Sequence, residues 1–235
     1  MTAADILKQL KPLGSESYAR VLKNHGVKEP VFGVKIEELK KFQKRIKTDY
    51  QLALDLYDTG VYDAMYLAGL VADDAKMTKR DLRGWLDKAT CDALCGFTVA
   101  WVAAGSKHGR ELALEWIDSD EERVATTGWA TLTSLVSITD DADLDLPELK
   151  RLLRRVGDTI HEQPNRVRYA MNGFVIAAGS FVPALTDLAI ETGEKIGTVT
   201  VDMGDTACKV PSAPQYIRKV QQRGSIGKKR KTAKC

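Results

Sequence analysis

Three neighbouring residues in the middle of the chain, Cys91, Asp92 and Cys95, have the side chains best suited to chemistry. Cysteines four positions apart lie on one face of a helix, so this pair could supply half of a metal site or form a redox couple. Zinc requires four ligands, and the three histidines of the chain are scattered far from this pair. We therefore expect no bound metal, and two buried thiols that act as small apolar side chains are the alternative.

Asp92 is the carboxylate in this group, and it has two interpretations. As a catalyst, a carboxylate stabilises the positive charge that builds up on a sugar when a glycosidic bond breaks. As a structural residue, an acid favours the first turn of a helix, and residues 90–92 have the types that open one. The signatures of phosphate-binding loops, dinucleotide folds and Ser-His-Asp hydrolases are absent from the sequence, so we expect no nucleotide and no other cofactor.

Basic residues form a second group of candidates, which could bind the phosphates of DNA. Arg123 stands near the predicted start of one helix, and Arg166 and Arg168 stand near the start of another. The N-terminus of a helix attracts phosphate, and an arginine adds a bidentate contact. Exposed arginines that contact only solvent are the alternative.

The chain ends in a strongly basic segment. The last eighteen residues contain eight lysines and arginines and no acid. The part from Gly224 onward has no aromatic residue and too little apolar surface to fold alone, so we expect a flexible basic tail over residues 224–235. The tail is either a solubilising end or an arm that holds DNA by charge. The residues of such an arm would be Lys228, Lys229, Arg230 and Lys231.

The composition is that of a globular protein and excludes several other classes. The 235 residues are 44% hydrophobic and 29% charged, which excludes collagen, a disulfide-stapled miniprotein and a wholly disordered chain. No apolar run approaches the ~20 residues of a membrane-spanning helix, so we expect no membrane partner. The N-terminal residues have the pattern of an amphipathic helix and not of an export signal, and four cysteines are too few for a disulfide framework. We therefore expect reduced thiols, a cytoplasmic location and a monomer.

Apolar residues recur at helical spacing along most of the chain. Leu149, Leu152, Leu153 and Val156 repeat at i, i+3, i+4 and i+7, which is one of several such stripes. The predicted helices come in pairs at intervals of roughly 35–40 residues, the period of two-helix HEAT-type units. We therefore predict an all-α fold, a curved superhelical solenoid of antiparallel helix pairs that forms one domain over residues 1–223. The expected inner helices are Val61–Ala72, Cys91–Gly105, Glu121–Ser137 and Arg166–Ala178.

Strand character is confined to residues 195–202, at the start of a C-terminal loop block over residues 195–211. This stretch alternates and is rich in β-branched residues, so it could form a short β ribbon or a simple extended segment. The block is dense in Gly, Asp, Thr, Cys and Lys, and it includes Lys209, a candidate DNA contact. Such a composition is typical of a functional loop, whereas a cap over the last helix pair is the alternative.

Short motifs follow one another in a fixed order over residues 15–190. They are Tyr18, Leu22–His25, Val34–Lys40, Ala53–Tyr57, Asp63–Ala68, Trp85–Asp87, Cys91–Asp92, Trp116–Ile117 and Ser119–Glu121. Each motif is weak alone, but their order and spacing are specific. Together they resemble the HEAT-repeat DNA alkylation repair family, whose best-known members are DNA glycosylases that remove alkylated purines.

This resemblance implies a solenoid whose positively charged concave groove holds double-stranded DNA. It also implies where catalytic and groove side chains would lie. The glycosylases share a tryptophan and, four residues later, an aspartate. The corresponding positions of this chain are Cys91 and Cys95. Their groove arginine falls at Thr126 and their second groove tryptophan at Phe174. The chain is thus similar to a divergent branch that lacks the usual catalytic set.

A thiol is a poor replacement for the missing carboxylate, because a cysteine with an ordinary pKa of about 8.5 is mostly neutral at pH 7. Loss of a preorganised charge stabiliser costs ~100–1000-fold in rate. We therefore predict a protein that binds double-stranded DNA, including damaged or branched forms, and that lacks the residues for base excision. An active glycosylase that uses Asp92 for N3- and N7-alkylpurines is one alternative, and a protein-binding helical scaffold is another.

Overall fold

The computed structural model describes residues 1–235 and contains thirteen α-helices and no β-strand, which confirms the predicted all-α class. The helices are α1 Ala3–Leu10, α2 Glu16–Asn24, α3 Ile36–Ile46, α4 Tyr50–Tyr57, α5 Tyr62–Val71, α6 Lys79–Lys88, α7 Ala100–Gly105, α8 Gly109–Trp116, α9 Glu122–Ile138, α10 Leu146–Thr159, α11 Asn165–Phe181, α12 Thr186–Ile196 and α13 Ala213–Gln222. A π-helical turn, Leu94–Val99, leads directly into α7, so that residues 92–105 form one continuous helix. None of these helices combines the length and the apolar character needed to span a bilayer.

Side chains at the helix N-termini determine where several of these helices begin. Thr78 caps α6, because its hydroxyl accepts the N–H of Asp81 at 3.2 Å while the Asp81 carboxylate accepts the N–H of Thr78 at 2.9 Å. Ser15 caps α2 by accepting the N–H of Tyr18 at 3.3 Å. These contacts satisfy N–H groups that have no partner inside the helix.

The chain divides into two compact units. Unit 1 comprises residues 1–108, 204–206 and 234–235, and unit 2 comprises residues 109–203 and 207–233. Each unit has its own buried apolar residues. The interpretation of residues 1–223 as one domain stays a prediction.

Helix pairs build unit 1, as the spacing of the sequence predicts. Helix α4 packs on α5, and α6 packs on the helix of residues 92–105. Tyr57 and Trp85 stack in parallel with ring centroids 4.2 Å apart, and the Tyr57 hydroxyl donates to the Trp85 carbonyl at 2.8 Å. Every residue of α5 is buried, and a Cβ added at Gly69 would lie only 2.7 Å from Cγ2 of Thr98. The glycine therefore lets the two inner helices of unit 1 approach closely.

Two further pairs, α8 with α9 and α10 with α11, form the body of unit 2, and α12 and α13 pack against α11. The predicted apolar stripe of α10 is confirmed, since Leu149, Leu152, Leu153 and Val156 are all buried. Helices α9 and α11 lie side by side in the same direction. The Glu122 carboxylate contacts the backbone at Arg166 near their N-terminal ends, and Trp129 packs on Phe174 half-way along them.

The expected β ribbon over residues 195–202 is wrong, because residues 195 and 196 end α12 and residues 197–202 form a loop without a strand. Side chains, not a second strand, bond the backbone here. The Asn165 amide donates to the Asp202 carbonyl at 2.9 Å and its oxygen accepts the Asp202 N–H at 2.7 Å. The ring of His161 bonds to the Ile196 carbonyl at 2.8 Å. Val199 is buried in unit 2, so this part of the block covers apolar surface as a cap does.

The expectation of a flexible tail over residues 224–235 is also wrong, because the tail packs against the ends of helices. In unit 2 the Gly227 N–H donates to the Ser180 carbonyl at 2.9 Å, and the Arg230 N–H donates to the Ser137 carbonyl at 2.8 Å. These carbonyls lie in the last turns of α11 and α9, where the helix itself offers no partner. Composition predicted disorder because it counts apolar surface and ignores such polar contacts.

The last two residues of the tail belong to unit 1. The Lys234 ammonium donates to the carbonyl of Ala72, directly after α5, at 2.8 Å, and it pairs with the Asp74 carboxylate at 2.8 Å. Only 10% of the Lys234 side chain is exposed. A cation at this place is stabilised by the negative end of the helix dipole as well as by its carboxylate partner.

Candidate nucleic-acid interface

Cys91 stands at the start of the helix of residues 92–105, where it acts as a cap. Its sulfur accepts the backbone N–H groups of Leu94 and Ala93, and its carbonyl accepts those of Leu94 and Cys95 at 3.1 and 3.2 Å. The side chain is buried, and burial raises the pKa of the thiol above its ordinary value in spite of these donors. The thiol is therefore neutral near pH 7, so it is not an activated nucleophile.

The four positions expected in a groove are all inside the protein. Cys95 and Phe174 have no exposed surface, Phe174 packs on Trp129 with ring centroids 5.4 Å apart, and Cys91 and Thr126 are nearly as buried. The expectation that these residues line an open groove is therefore wrong. The side chains at these positions are small or apolar, and they pack in the core of their unit.

No group of three or more metal-ligating side chains comes together in the protein, and all four cysteines are free thiols. Asp92 is half-buried in the first turn of its helix, where an acid is stabilised by the helix dipole. Its position fits the structural interpretation, and its role as a catalytic carboxylate stays a prediction.

Asp63 is a buried carboxylate that sequence reasoning treated only as part of a motif. It is fully buried in the first turn of α5, and its oxygens accept the N–H groups of Phe32 at 2.6 Å and of Val34 at 2.7 Å. Burial raises its pKa above the ordinary value, although these hydrogen bonds act in the opposite direction. The residue holds the loop before α3 against α5. An acid in an otherwise apolar helix was the signal that could have revealed this role.

The N-terminal ends of α9 and α11 bring Arg123, Arg166 and Arg168 to one part of unit 2. The Glu122 carboxylate accepts the N–H of Arg166 at 2.6 Å, so it already occupies the N-terminus of α11. A phosphate therefore could not use that N–H group as the sequence suggested. The guanidinium groups are therefore the main candidates for holding a phosphate here.

Each of these arginines retains a side chain that solvent reaches. Arg123 is 35% exposed and lies 3.9 Å from the Glu121 carboxylate. The Arg166 guanidinium lies 5.8 Å from the ring centre of the exposed Tyr169. Arg168 is half-buried: its Nε is enclosed and has no hydrogen-bond partner, and one terminal nitrogen lies 3.5 Å from the Asn165 amide oxygen. A cationic and aromatic surface of this kind suits a nucleic-acid backbone.

The five candidate DNA contacts of the C-terminal region fall into two groups. Exposed side chains are those of Lys209, Lys228, Arg230 and Lys231. Lys229 differs, because only 15% of its side chain is exposed and its ammonium donates to the Val136 carbonyl at 2.9 Å and pairs with Asp141 at 2.9 Å. The ammonium of Lys229 thus serves the fold, whereas its neighbours face solvent.

A sequence model of the family described as DNA alkylation repair enzyme matches residues 6–214. The chain belongs to the DNA alkylation repair enzyme family. It is similar to an uncharacterized protein of Listeria innocua, with 31% identity over 221 residues that cover 92% of this chain and 95% of that one. An uncharacterized protein of Listeria monocytogenes matches over the same shares of both chains with 32% identity.

A solved structure is similar to this member of the DNA alkylation repair family over 100% of both chains, with a TM-score of 0.92 and 33% sequence identity. That structure represents a new family of proteins related to the HEAT-like repeat DNA glycosylases with affinity for branched DNA structures. The match confirms the predicted HEAT-like helical repeat fold and the family resemblance.

Proposed function

We propose that this member of the DNA alkylation repair family binds double-stranded DNA, prefers branched DNA and does not excise bases. The observation that supports this most is the likeness over the whole chain to a protein described as having affinity for branched DNA. A second observation is the chemistry of the positions where the glycosylases carry their catalytic residues. Here they hold a neutral, buried thiol at Cys91 and a fully buried thiol at Cys95.

The arginines at the N-terminal ends of α9 and α11 are the proposed phosphate contacts of unit 2. Arg166 and Arg168 stand two residues apart in the first turn of α11, and Arg123 stands in the first turn of the parallel helix α9. Charge contacts of this kind hold the DNA backbone without reading its sequence. A protein that recognises the shape of a branch point needs contacts of this type more than contacts with base edges.

Base excision would need a group that stabilises positive charge on the sugar, and a neutral thiol lacks that charge. Asp92 remains the one nearby carboxylate proposed for that role, and a protein-binding scaffold remains the third hypothesis. We propose further that the protein acts in the cytoplasm as a monomer, where its free thiols stay reduced.

Fluorescence anisotropy with a labelled three-way junction and a linear duplex of the same length tests the binding function. We expect the wild-type protein to bind the junction more tightly at low salt. The double variant Arg166→Ala with Arg168→Ala should weaken binding to both DNAs by roughly tenfold, because two phosphate contacts are lost. Arg154→Ala is the matched control, since Arg154 is an exposed arginine of α10, the first helix of the same pair.

Incubation with methylated DNA tests the absence of base excision. We expect no release of 3- or 7-methylpurine above the spontaneous rate. Release that disappears in Asp92→Asn would establish the glycosylase alternative. Failure of the wild-type protein to bind either DNA at low salt would overturn the proposed function and leave the scaffold hypothesis.

A further inference from the structure

The helix of residues 92–105 has an exposed aromatic ring, that of Phe97, on its solvent-facing side. Phe97 is 50% exposed, although phenylalanine is normally buried in a folded protein. The other residues of these first turns that solvent reaches are Asp92, Ala93 and Gly96, all half-buried. The ring is therefore flanked by small residues and one carboxylate, and no bulky side chain of this helix covers it.

Aromatic side chains beneath Phe97 hold it in place. Its ring centroid lies 5.4 Å from that of Trp101 with an angle of 31° between the planes. Trp101 in turn meets Tyr66 edge to face at 5.7 Å. Both Trp101 and Tyr66 are buried, so the exposed ring rests on a rigid base. Phe97 also lies within the π-helical turn, a feature that is frequent at functional sites.

Gly96 adds a second unusual choice to the same surface. A Cβ added at this residue would meet no atom within 4 Å, so packing does not require a glycine here. Glycine within a helix also destabilises it relative to alanine. Gly96 directly precedes Phe97, so this open space lies on the same turn of the helix as the exposed ring.

We propose that Phe97 is a stacking platform for an unpaired nucleobase at the branch point of DNA. Every base has a flat π-face, and stacking on an aromatic side chain does not depend on the base identity. None of the solvent-reached residues in these turns is basic, so the helix offers no cation to hold a phosphate and the ring suits a base rather than the backbone. Branch points differ from linear duplex in offering unstacked bases. This subsite belongs to the DNA-binding function proposed above and extends it.

Binding of Phe97→Ala to the three-way junction and to the linear duplex gives the first test. Loss of one base-stacking contact should weaken junction binding by ~10-fold and leave duplex binding unchanged. Tyr216→Ala is the matched control, because Tyr216 is an equally exposed aromatic residue on α13, at 49%. The control should retain the affinity of the wild-type protein for both DNAs.

A 2-aminopurine base placed unpaired at the junction reports stacking directly, because its fluorescence falls when it stacks. We expect quenching with the wild-type protein and with Phe97→Trp, and none with Phe97→Ala. Gly96→Leu fills the open space while keeping the ring, so it should abolish quenching too. Circular dichroism establishes that each variant is folded, and Gly96→Leu tests the site even if Phe97→Ala unfolds.

The outcomes separate this inference from the proposed function. A wild-type protein that binds no DNA overturns the proposed function itself. A wild-type protein that prefers the junction, with Phe97→Ala and Gly96→Leu equal to it, overturns only the stacking platform. Equal losses on junction and duplex also overturn the platform, since a stacked unpaired base exists only at the junction. If the surface instead binds another protein, the two variants would bind DNA as the wild-type protein does.

Discussion

At the scale of single residues, burial decides which of the acidic and thiol groups can act. Cys95 stands where the resemblance places the aspartate of the glycosylases, and it has no exposed surface, while burial raises the pKa of the Cys91 thiol four residues earlier. Asp63 and Asp74 are carboxyl groups whose pKa burial raises, but each is bound to the fold by backbone or lysine donors. These buried groups thus belong to the fold, whereas cations that solvent reaches and one exposed ring are the groups proposed to bind DNA.

Asp74 gives a pH-dependent prediction. Because its pKa is higher in the folded than in the unfolded protein, the folded state retains a proton that the unfolded state has released as the pH rises above about 3.8. The contribution of Asp74 to stability is therefore largest at low pH and falls as the pH rises through its folded pKa. We therefore expect Asp74→Asn to be more stable, relative to the wild-type protein, at pH 7 than at pH 4. Urea denaturation of both proteins at the two pH values measures this difference in the free energy of unfolding.

The control for this prediction is Asp58→Asn. Asp58 forms an exposed ion pair with Lys88 at 2.7 Å, and such pairs contribute only ~0–1 kcal/mol at either pH. A relative stability of Asp74→Asn that falls between pH 4 and pH 7 would mean that the ammonium of Lys234 outweighs burial at Asp74.

At the scale of elements, the ends of helices explain features that the helix patterns alone do not. The C-terminal carbonyls of α9 and α11 have no partner inside their own helices, and the tail supplies N–H groups and a lysine to them. The N-terminus of α11 is likewise filled, by the Glu122 carboxylate. Polar groups from distant parts of the chain therefore complete the helices of unit 2.

Lys229 provides the prediction at this scale. Lys229→Ala removes the hydrogen bond to the Val136 carbonyl and the ion pair with Asp141. We expect a loss of about 1–3 kcal/mol in the free energy of unfolding, because a partly buried carbonyl and carboxylate lose their donor. Urea denaturation followed by circular dichroism measures this loss. Lys228→Ala, an exposed neighbour, should change stability by less than about 0.5 kcal/mol. Equal effects of the two variants would contradict the capping role of Lys229.

At the scale of the whole molecule, charge is divided unevenly along the chain. The protein has 35 basic and 32 acidic residues, yet the last eighteen residues contain eight basic and no acidic side chains. Lys229 and Lys234 form ion pairs within the protein, whereas Lys228 and Lys231 are exposed. Only the exposed part is available to a polyanion such as DNA.

The salt dependence of DNA binding tests this division. The double variant Lys228→Ala with Lys231→Ala should bind DNA more weakly at low salt. It should also reduce the slope of log K against log salt concentration by up to ~1.8, since each phosphate contact contributes about 0.9. Anisotropy titrations at several salt concentrations provide the measurement. A slope equal to that of the wild-type protein would show that these lysines do not contact DNA.

The sequence by itself determined the helical class, the pairing of helices and the apolar stripe of α10, because these depend on local periodicity. The tertiary structure decided the rest. The Lys229 ammonium reaches the Val136 carbonyl 93 positions away, and Lys234 reaches Ala72 162 positions away. No local pattern encodes such distant contacts, so the tail looked flexible. The burial of Phe174 and the exposure of Phe97 depend in the same way on which elements pack around each ring, and that is set by the fold as a whole.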